Sequence, residues 1–554
     1  MQELQESIKI AAKELFGADI APELSRPEEQ FGDYSTNVAL QLAKKLDKKP
    51  REVAEQLVAK LQSSMLSKTE VAGPGFINFW LSDQTLAALL DKKPAQNMAN
   101  QEVVVEYSDP NPFKVLHVGH LYTSVVGDAI AKLFEAAGAN VHRVNFGGDV
   151  GRHVAITTWA ILQNLGGELP EKLGAIEKAS RPQWLADRYV EGNNAFEQDE
   201  TIKPVIEDLN KRIYDIQAEQ DEASPLAQIY WTTRQWSYDY FDEFYARIGS
   251  HFEKYYPESA TSEPGMKVVE ANIGKVFEKS DGAIVFKGEV HNMHTRVFVN
   301  SQGLPTYETK DVGLIVLKNQ DYHFDRSIII TGNEQFEYMQ VVLKAVEQIM
   351  PDLAQKTTHI THGMVKPVDG TKMSSRSGNI IKAEDVLEAA TAANKQINKQ
   401  ENADTALGAV KYAFLKNRIG ADIIFDPAES VSLQGNSGPY LQYAYVRAKS
   451  ILGKAQNKVT GDRLQVTEFE PDERSLMRKI GEYSEVVENA VDELMPHHIC
   501  TYLYELAQIF NRFYENNRVI DDPREGLRLK LVQSYANVLK NGLELLNIPA
   551  PEKM

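Results

Sequence analysis

Two histidines, His117 and His120, stand three residues apart with Gly119 between them. They lie where an apolar run, Val103 to Val105, gives way to the Pro-broken stretch Ser108-Asp109-Pro110-Asn111-Pro112-Phe113-Lys114 and then to a helical pattern. At i, i+3 spacing the two rings share one helix face, and Gly119 leaves no side chain to obstruct a ligand lying against the backbone. A helix that starts here offers free N–H groups and a dipole that favours phosphate. By itself an H-x-x-H pair is as readily a surface pair or half of a metal site. A second polar stretch, Gly370-Thr371-Lys372-Met373-Ser374-Ser375-Arg376-Ser377-Gly378-Asn379, follows another apolar run from His359 to Val365 and would supply a cation and hydroxyls. Read alone, it is a solvated turn.

The elements that must position these groups follow from periodicity. From Leu121, apolar residues recur at Val125, Ala129, Ile130, Leu133 and Phe134 until Gly138 offers a stop, and the run Val141 to Phe146 completes a βαβ unit with a right-handed crossover. Ligands in such a unit sit at the carboxyl ends of the strands. Ser327 to Thr331 is another buried-strand run, succeeded by a helix from about Glu334 to Met350. This alternation predicts an α/β fold, a Rossmann-type doubly wound parallel sheet over residues 96–385, with a mainly helical insertion at about 155–290. The insertion's aromatic stretch, Arg234 to Gly249, is expected to form core.

Residues 1–95 read as a separate small α+β domain. Its charge run, Lys44, Lys45, Lys48, Lys49 and Arg51, reads as a solvated face. Gly73-Pro74-Gly75 turns into an aromatic strand in which Phe76 and Trp80 would pack, while Asn78 and Phe79 would suit an exposed, base-contacting edge. Residues 91–101 are polar and read as a linker. Residues 386–554 predict an all-α helical bundle, its clearest helix opened by Ser437-Gly438-Pro439 and striped by Leu441, Ala444, Tyr445, Ala448, Ile451 and Leu452. That stripe leaves Gln442, Arg447 and Lys449 towards solvent.

Composition sets the outer bounds. The 554 residues are 43% hydrophobic and 25% charged, ordinary for a soluble globular protein of several domains. The single cysteine, Cys500, excludes an intrachain disulfide and a multi-Cys zinc site and reads as an inert buried thiol; no structural zinc and no protein-held metal are expected. A net charge of −18 argues against a generally basic nucleic-acid binder, so RNA would need local basic patches. No apolar run approaches the ~20 residues of a membrane span. The first residues, Met1 to Glu6, lack the basic and apolar regions of a secretory signal, so the expected location is cytoplasmic and away from membranes.

His117-Val118-Gly119-His120 and Lys372-Met373-Ser374-Ser375 together resemble the H-I-G-H and K-M-S-K-S elements of class I aminoacyl-tRNA synthetases, in the right order and a domain-sized interval apart, with Arg376 where the pattern often ends in Ser. Over essentially its whole length the chain resembles the arginyl-tRNA synthetase family. Phe31-Gly32-Asp33-Tyr34 and Gly73 to Phe79 are similar to that family's additional N-terminal domain, which contacts the D-loop side of tRNA. Glu106 to His120 is similar to its extended H-I-G-H region, Pro305 to Gly313 to its amino-acid pocket segment, and Gly438 to Arg447 with Leu546 to Met554 to its helical anticodon-binding domain.

The resemblance implies an arginine–tRNA ligase: arginine attacks the ATP α-phosphorus to give arginyl-adenylate and pyrophosphate, and the arginyl group passes to the 3′-terminal ribose of tRNA(Arg) with release of AMP. It implies L-arginine, ATP and tRNA(Arg) as partners, Mg²⁺ carried on ATP, no DNA, and a monomer. Position by position, it implies ATP contacts from His117, Gly119, His120, Lys372, Met373, Ser374 and Ser375, with adenine against the His362-Gly363-Met364-Val365 backbone. Lys372 would meet the leaving pyrophosphate. Lys114 would share that duty, since some family members lacking the loop lysine are thought to rely on a lysine there. Glu106, Tyr307 and Asp311 match the guanidinium-binding positions, Ser108 and His117 border the amino acid, and Asn111 would accept from its α-ammonium. The family commonly has a Gln where Glu334 aligns, with Gln335 adjacent. Asn78, Phe79, Gln442, Arg447 and Lys449 fall on the tRNA side. The alternatives are a class I synthetase of another specificity and a non-catalytic tRNA-binding paralogue.

Overall fold

The computed structural model describes residues 2–61, 63–368, 381–399, 401–455 and 468–553. Five strands form the central sheet: Glu102–Glu106, Asn140–Gly147, Lys254–Pro257, Arg326–Gly332 and Thr357–His362. All four neighbouring pairs are parallel, and in space the last strand lies beside the fourth, then come the first, second and third. The strand order therefore reverses between Glu102–Glu106 and Arg326–Gly332, and at the carboxyl ends of those two strands a doubly wound sheet opens a crevice. The core strands read as near-continuous apolar runs because helices cover both faces; Val103, Val104, Val105, Ile328 and Ile330 have no exposed surface.

The first crossover helix, Val118–Ala136, is buried along most of its length. Gly127 permits one close approach: a Cβ there would lie 2.1 Å from the Tyr107 ring. Gly127→Ala should therefore cost about 1 to 3 kcal/mol through overpacking, read as a lowered Tm.

Lys254–Pro257 lies inside the stretch expected to be a helical insertion, yet it is an edge strand of the main sheet, pairing with Val144 to Gly147. Four residues are too few to show a strand period. The remainder of that stretch is helical, chiefly Arg152–Leu165, Arg181–Gln198, Lys203–Glu219 and Pro225–Ile248. In the last of these Trp236, Tyr240, Phe241, Phe244 and Tyr245 are buried, as their clustering leads one to expect.

In the N-terminal domain the strand Phe76–Leu81 is the middle one of a three-stranded antiparallel sheet. Alternation sends Ile77, Phe79 and Leu81 into the core, and Asn78 on the opposite face is also buried. The exposed edge expected at Asn78 and Phe79 is not present; Phe76 is the aromatic that faces solvent, at 41% exposure. The five cations from Lys44 to Arg51 are solvent-exposed. This domain docks on the bundle through ion pairs of Asp33 with Arg474 at 2.9 Å and Arg478 at 3.4 Å, and of Arg26 with Glu485 at 3.0 Å.

Among the described residues from Ala383 onward the regular elements are helices, apart from the short strand Ile423–Phe425, which pairs with Val365–Pro367. Helix Gly438–Lys454 packs against both Ala403–Leu415 and Glu525–Leu545. Its buried face is consequently wider than one stripe. Gln442 is fully buried rather than solvent-facing, its amide donating to the carbonyls of Asp404 at 3.1 Å and Pro549 at 2.8 Å. Arg447 and Lys449 remain half-exposed; Arg447 donates to Asn511, and Lys449 lies 4.0 Å from Glu552. Cys500 is buried, and desolvation pushes its thiol well up.

Candidate active site

The loop from Tyr107 to Leu116 leaves the first core strand and enters the first core helix through an unusual backbone. Ser108, Asp109 and Phe113 all have positive φ, at 73°, 47° and 69°. Such conformations cost non-glycine residues free energy and persist only where surroundings over-determine them. Here they do. Asn145 donates to the Tyr107 carbonyl at 3.2 Å, Asp109 accepts from Phe146 N–H at 2.8 Å, and Asn111 accepts from Gly148 N–H at 2.8 Å. The helix Pro225–Ile248 adds three polar contacts: Ser237 accepts from Phe113 N–H, Tyr240 from Leu116 N–H, and the Tyr245 hydroxyl lies 2.7 Å from Ser108 Oγ. That helix is thus scaffold for the loop as well as core, a role its aromatic composition did not reveal.

The loop delivers His117 to the N-cap of helix Val118–Ala136. His117 Nδ1 accepts from Gly119 N–H at 3.0 Å, and His120 Nδ1 accepts from His117 N–H at 3.1 Å. A backbone N–H can only donate, so both Nδ1 atoms are unprotonated and each neutral ring carries its proton on Nε2. Burial depresses the His117 pKa to about 4, with Lys114 adding to the effect and Glu334 opposing it. Burial, reinforced by His117 and Lys114, also holds His120 well below the usual range. The rings stack at 3.8 Å between centroids. Side by side at a helix N-terminus, they present two neutral N–H donors, which suit phosphate oxygens. A Cβ at Gly119 would fall 2.8 Å from the His117 ring.

A cavity of about 690 Å³ opens at the switch point, within the usual range for small-molecule sites. It is lined by Glu106, Ser108, Asn111, His117, Gly119, His120, Tyr307, Asp311, Glu334, His362 and Met364, so the fold brings together every expected small-ligand residue among those described except Lys114. It also brings residues that the sequence did not single out: Asp109, Glu258, Arg296, Glu308 and Tyr338.

Charge pairing within this wall is incomplete. Glu106 is paired with the buried Lys318, Glu258 with the buried Lys310 at 2.6 Å, and Glu308 with Arg296 at 3.4 Å. Among the described residues, neither Asp109 nor Asp311 has a cationic partner in an ion pair. Burial raises Asp311 to about 8 even though the Tyr338 hydroxyl donates to it; Glu106, Glu258 and Glu308 push in the same direction as burial. Burial and the Glu106 charge also raise Asp109 well above the carboxylate range. The pocket thus stores uncompensated acidity, which a cationic ligand would relieve. Tyr307 stands at the mouth, 56% exposed. Glu334 and Gln335 both line the wall from the turn after Arg326–Gly332, so the geometry admits either one beside a ligand.

At the opposite end, His362 Nδ1 lies 2.7 Å from the Gly363 carbonyl and its Nε2 2.6 Å from Thr123 Oγ1, whose hydroxyl donates to the Gly119 carbonyl at 2.8 Å. Met364 lines the cavity, but its N–H donates to Asp422 and its carbonyl accepts from Ile423 N–H, both at 2.8 Å. The Met364 N–H is therefore committed within the fold, while its carbonyl keeps a second lone pair. Lys114 does not line the cavity; its ammonium lies over the Tyr189 ring, 4.3 Å from the centroid. Lys372, Met373, Ser374 and Ser375 lie outside the described residues. Among the described residues no group of three or more His, Cys, Asp or Glu could hold a metal ion, and no helix is long and apolar enough to cross a membrane.

Three stretches match known families: residues 2–81 the arginyl tRNA synthetase N terminal domain, 84–426 the catalytic domain of class I (R) tRNA synthetases, and 441–554 the DALR anticodon binding domain. The arginine–tRNA ligase of Clostridium perfringens is 32% identical over 552 residues, covering 95% of each chain. That of Clostridium acetobutylicum is 30% identical over 560 residues, again covering 95% of each. The arginyl-tRNA synthetase structure from Thermus thermophilus superposes with a TM-score of 0.80 at 26% identity, covering 100% of both chains. With the H-x-x-H helix start and the acidic cavity at the switch point of the same sheet, these matches make the chain a member of the arginyl-tRNA synthetase family.

Proposed function

We propose that the cavity activates L-arginine with ATP and passes the arginyl group to the 3′-terminal ribose of tRNA(Arg). The observation that carries this reading is that one cavity is lined both by the buried Asp311, which has no cationic partner among the described residues, and by a pair of neutral histidine donors. A guanidinium is a permanently charged planar fork, and it discharges the cost of an ionised Asp311 through paired hydrogen bonds. The α-ammonium belongs at the loop end, near Asn111 and Glu334. This orientation turns the arginine carboxylate towards the histidines, where the ATP α-phosphate would lie.

Neither chemical step needs a protein nucleophile: the carboxylate oxygen attacks phosphorus and pyrophosphate leaves, and the ribose hydroxyl then attacks the acyl carbon and AMP leaves. Catalysis is positioning, together with donors aimed at charge that grows on phosphate oxygens. His117 and His120 supply two such donors without giving up a proton. By the family resemblance Lys372 would meet the leaving pyrophosphate, and Lys114 would join it by leaving the Tyr189 ring. Mg²⁺ enters on the ATP phosphates, consistent with its habit of keeping waters and binding substrate oxygens. The domain boundaries at 95/96 and 385/386 and the RNA-facing roles of Arg447 and Lys449 belong to this same reading.

Aminoacylation of bulk tRNA with each proteinogenic amino acid in turn is the direct test. Arginine alone should be charged. Pyrophosphate exchange should be weak with arginine and ATP alone and rise when tRNA is added. Charging of another amino acid would transfer the acidic pocket to a different specificity.

A further inference from the structure

We propose that Asn547, distant in sequence and lining no part of the cavity, is a positioning residue for the arginine-binding loop and acts through Asp128 and Tyr107; this rests on the reading of the cavity given above. Asp128, on helix Val118–Ala136, is 2% exposed and lines no part of the cavity. Its Oδ1 accepts from the Tyr107 hydroxyl at 2.7 Å, and its Oδ2 accepts from Ser250 and from Asn547 Nδ2, the latter at 3.1 Å. The second hydrogen of the same amide goes to the Gly249 carbonyl at 3.0 Å. Both donors of Asn547 thus face acceptors, and the flipped amide would set its oxygen against two more oxygens.

The segment carrying Asn547 is itself fixed. Its φ of 52° is one that Asn tolerates. Its carbonyl accepts from the buried Lys411 at 2.5 Å, the flanking Leu546 and Ile548 are buried, and Gln442 bonds the Pro549 carbonyl. At the other end, Tyr107 is locked against Gly127, and its backbone joins Glu106 to Ser108, both in the cavity wall. A rigid path of hydrogen bonds therefore runs from the helical bundle to the backbone beside the arginine pocket. Without the Asn547 amide, Asp128 loses one of its three side-chain donors, and Tyr107 is held by a carboxylate free to turn.

The test uses the full-length protein and Asn547→Gly, which keeps the left-handed backbone and the carbonyl for Lys411. The arginine KM should rise about three- to tenfold, the range of one hydrogen bond, with the ATP KM little changed and Tm lowered only by the two hydrogen bonds lost. Asn547→Asp, which sets a carboxylate against Asp128, should raise the arginine KM further. On a Tyr107→Phe background, already cut from Asp128, Asn547→Gly should add nothing. Multiplying effects of the two substitutions, equal rises in both KM values, or a lowered Tm with unchanged KM would each overturn the proposal. Asp311→Asn serves as the control. If it too leaves the arginine KM unchanged, the reading of the cavity fails; if it raises the KM while Asn547→Gly does not, only the positioning role fails.

Discussion

Asp311→Asn is expected to raise the arginine KM about ten- to a hundredfold, the worth of one charge-assisted fork contact, and to leave the ATP KM nearly unchanged. It should also remove a pH dependence. Because burial lifts Asp311 to about 8, the free site carries a proton at neutral pH that must leave when the guanidinium arrives. Arginine affinity should therefore tighten as pH rises, by up to about tenfold per unit below the Asp311 pKa, and level off above it. Calorimetry in buffers of different ionisation enthalpy reads that proton directly, and the Asn variant should release none from this position. The stability sign follows from the same shift. The folded pKa lies above the ordinary value of about 3.9, so the folded state holds the extra proton between roughly pH 4 and 8. Stability from this group is full below that window and is lost as pH rises through it. At pH 8 Asp311→Asn should consequently be more stable than the unaltered protein while binding arginine worse. A flat pH profile in the unaltered protein, or matching losses for arginine and ATP, would make Asp311 scaffolding.

Much of this site was legible because the strands and helices on either side of its loop are regular. The apolar run before Glu106, the helical spacing after Leu121 and the run from Ser327 to Thr331 give the parallel sheet, and the sheet's switch point puts His117, Asn111, Tyr307, Asp311 and Glu334 around one cavity. What escaped depends on contacts between distant segments. Glu258 follows a strand only four residues long, and its partner Lys310 is fifty-two residues away. Recognising that strand would have put Glu258 at a carboxyl end, where ligands bind. Tyr338 and Arg296 carry no local signal; they count because the fold sets them beside Asp311 and Glu308. Phe79 and Gln442 failed differently. Each reading assumed one buried face, but the strand of Phe79 is the middle of its sheet, and the helix of Gln442 is covered by neighbours on two sides.

Replacing His120 by Ala should slow adenylate formation in a single turnover by about 10² to 10³-fold, the usual effect of deleting one preorganised donor from a site where charge develops. The role of the two rings turns on their protonation. If the histidines worked as cations or as general acids, activity would titrate near the ordinary value of about 6.5. Yet both Nδ1 atoms accept from the helix's own N–H groups, and burial holds both rings neutral, His117 down to about 4. Their contribution is then two fixed Nε2–H dipoles, constant across the neutral range. The single-turnover rate at saturating arginine and ATP should accordingly show no ionisation between about pH 5.5 and 7.5, and His120→Asn, which retains an N–H donor, should fall between the unaltered protein and His120→Ala. His117→Ala should also lower stability by about 0.5 to 2 kcal/mol, because His117 caps the helix as well as facing the cavity. A rate that titrates near pH 6.5 and stops doing so in His120→Ala would replace the dipole mechanism with proton transfer, and the tautomers set by the helix cap could not then be those of the working enzyme.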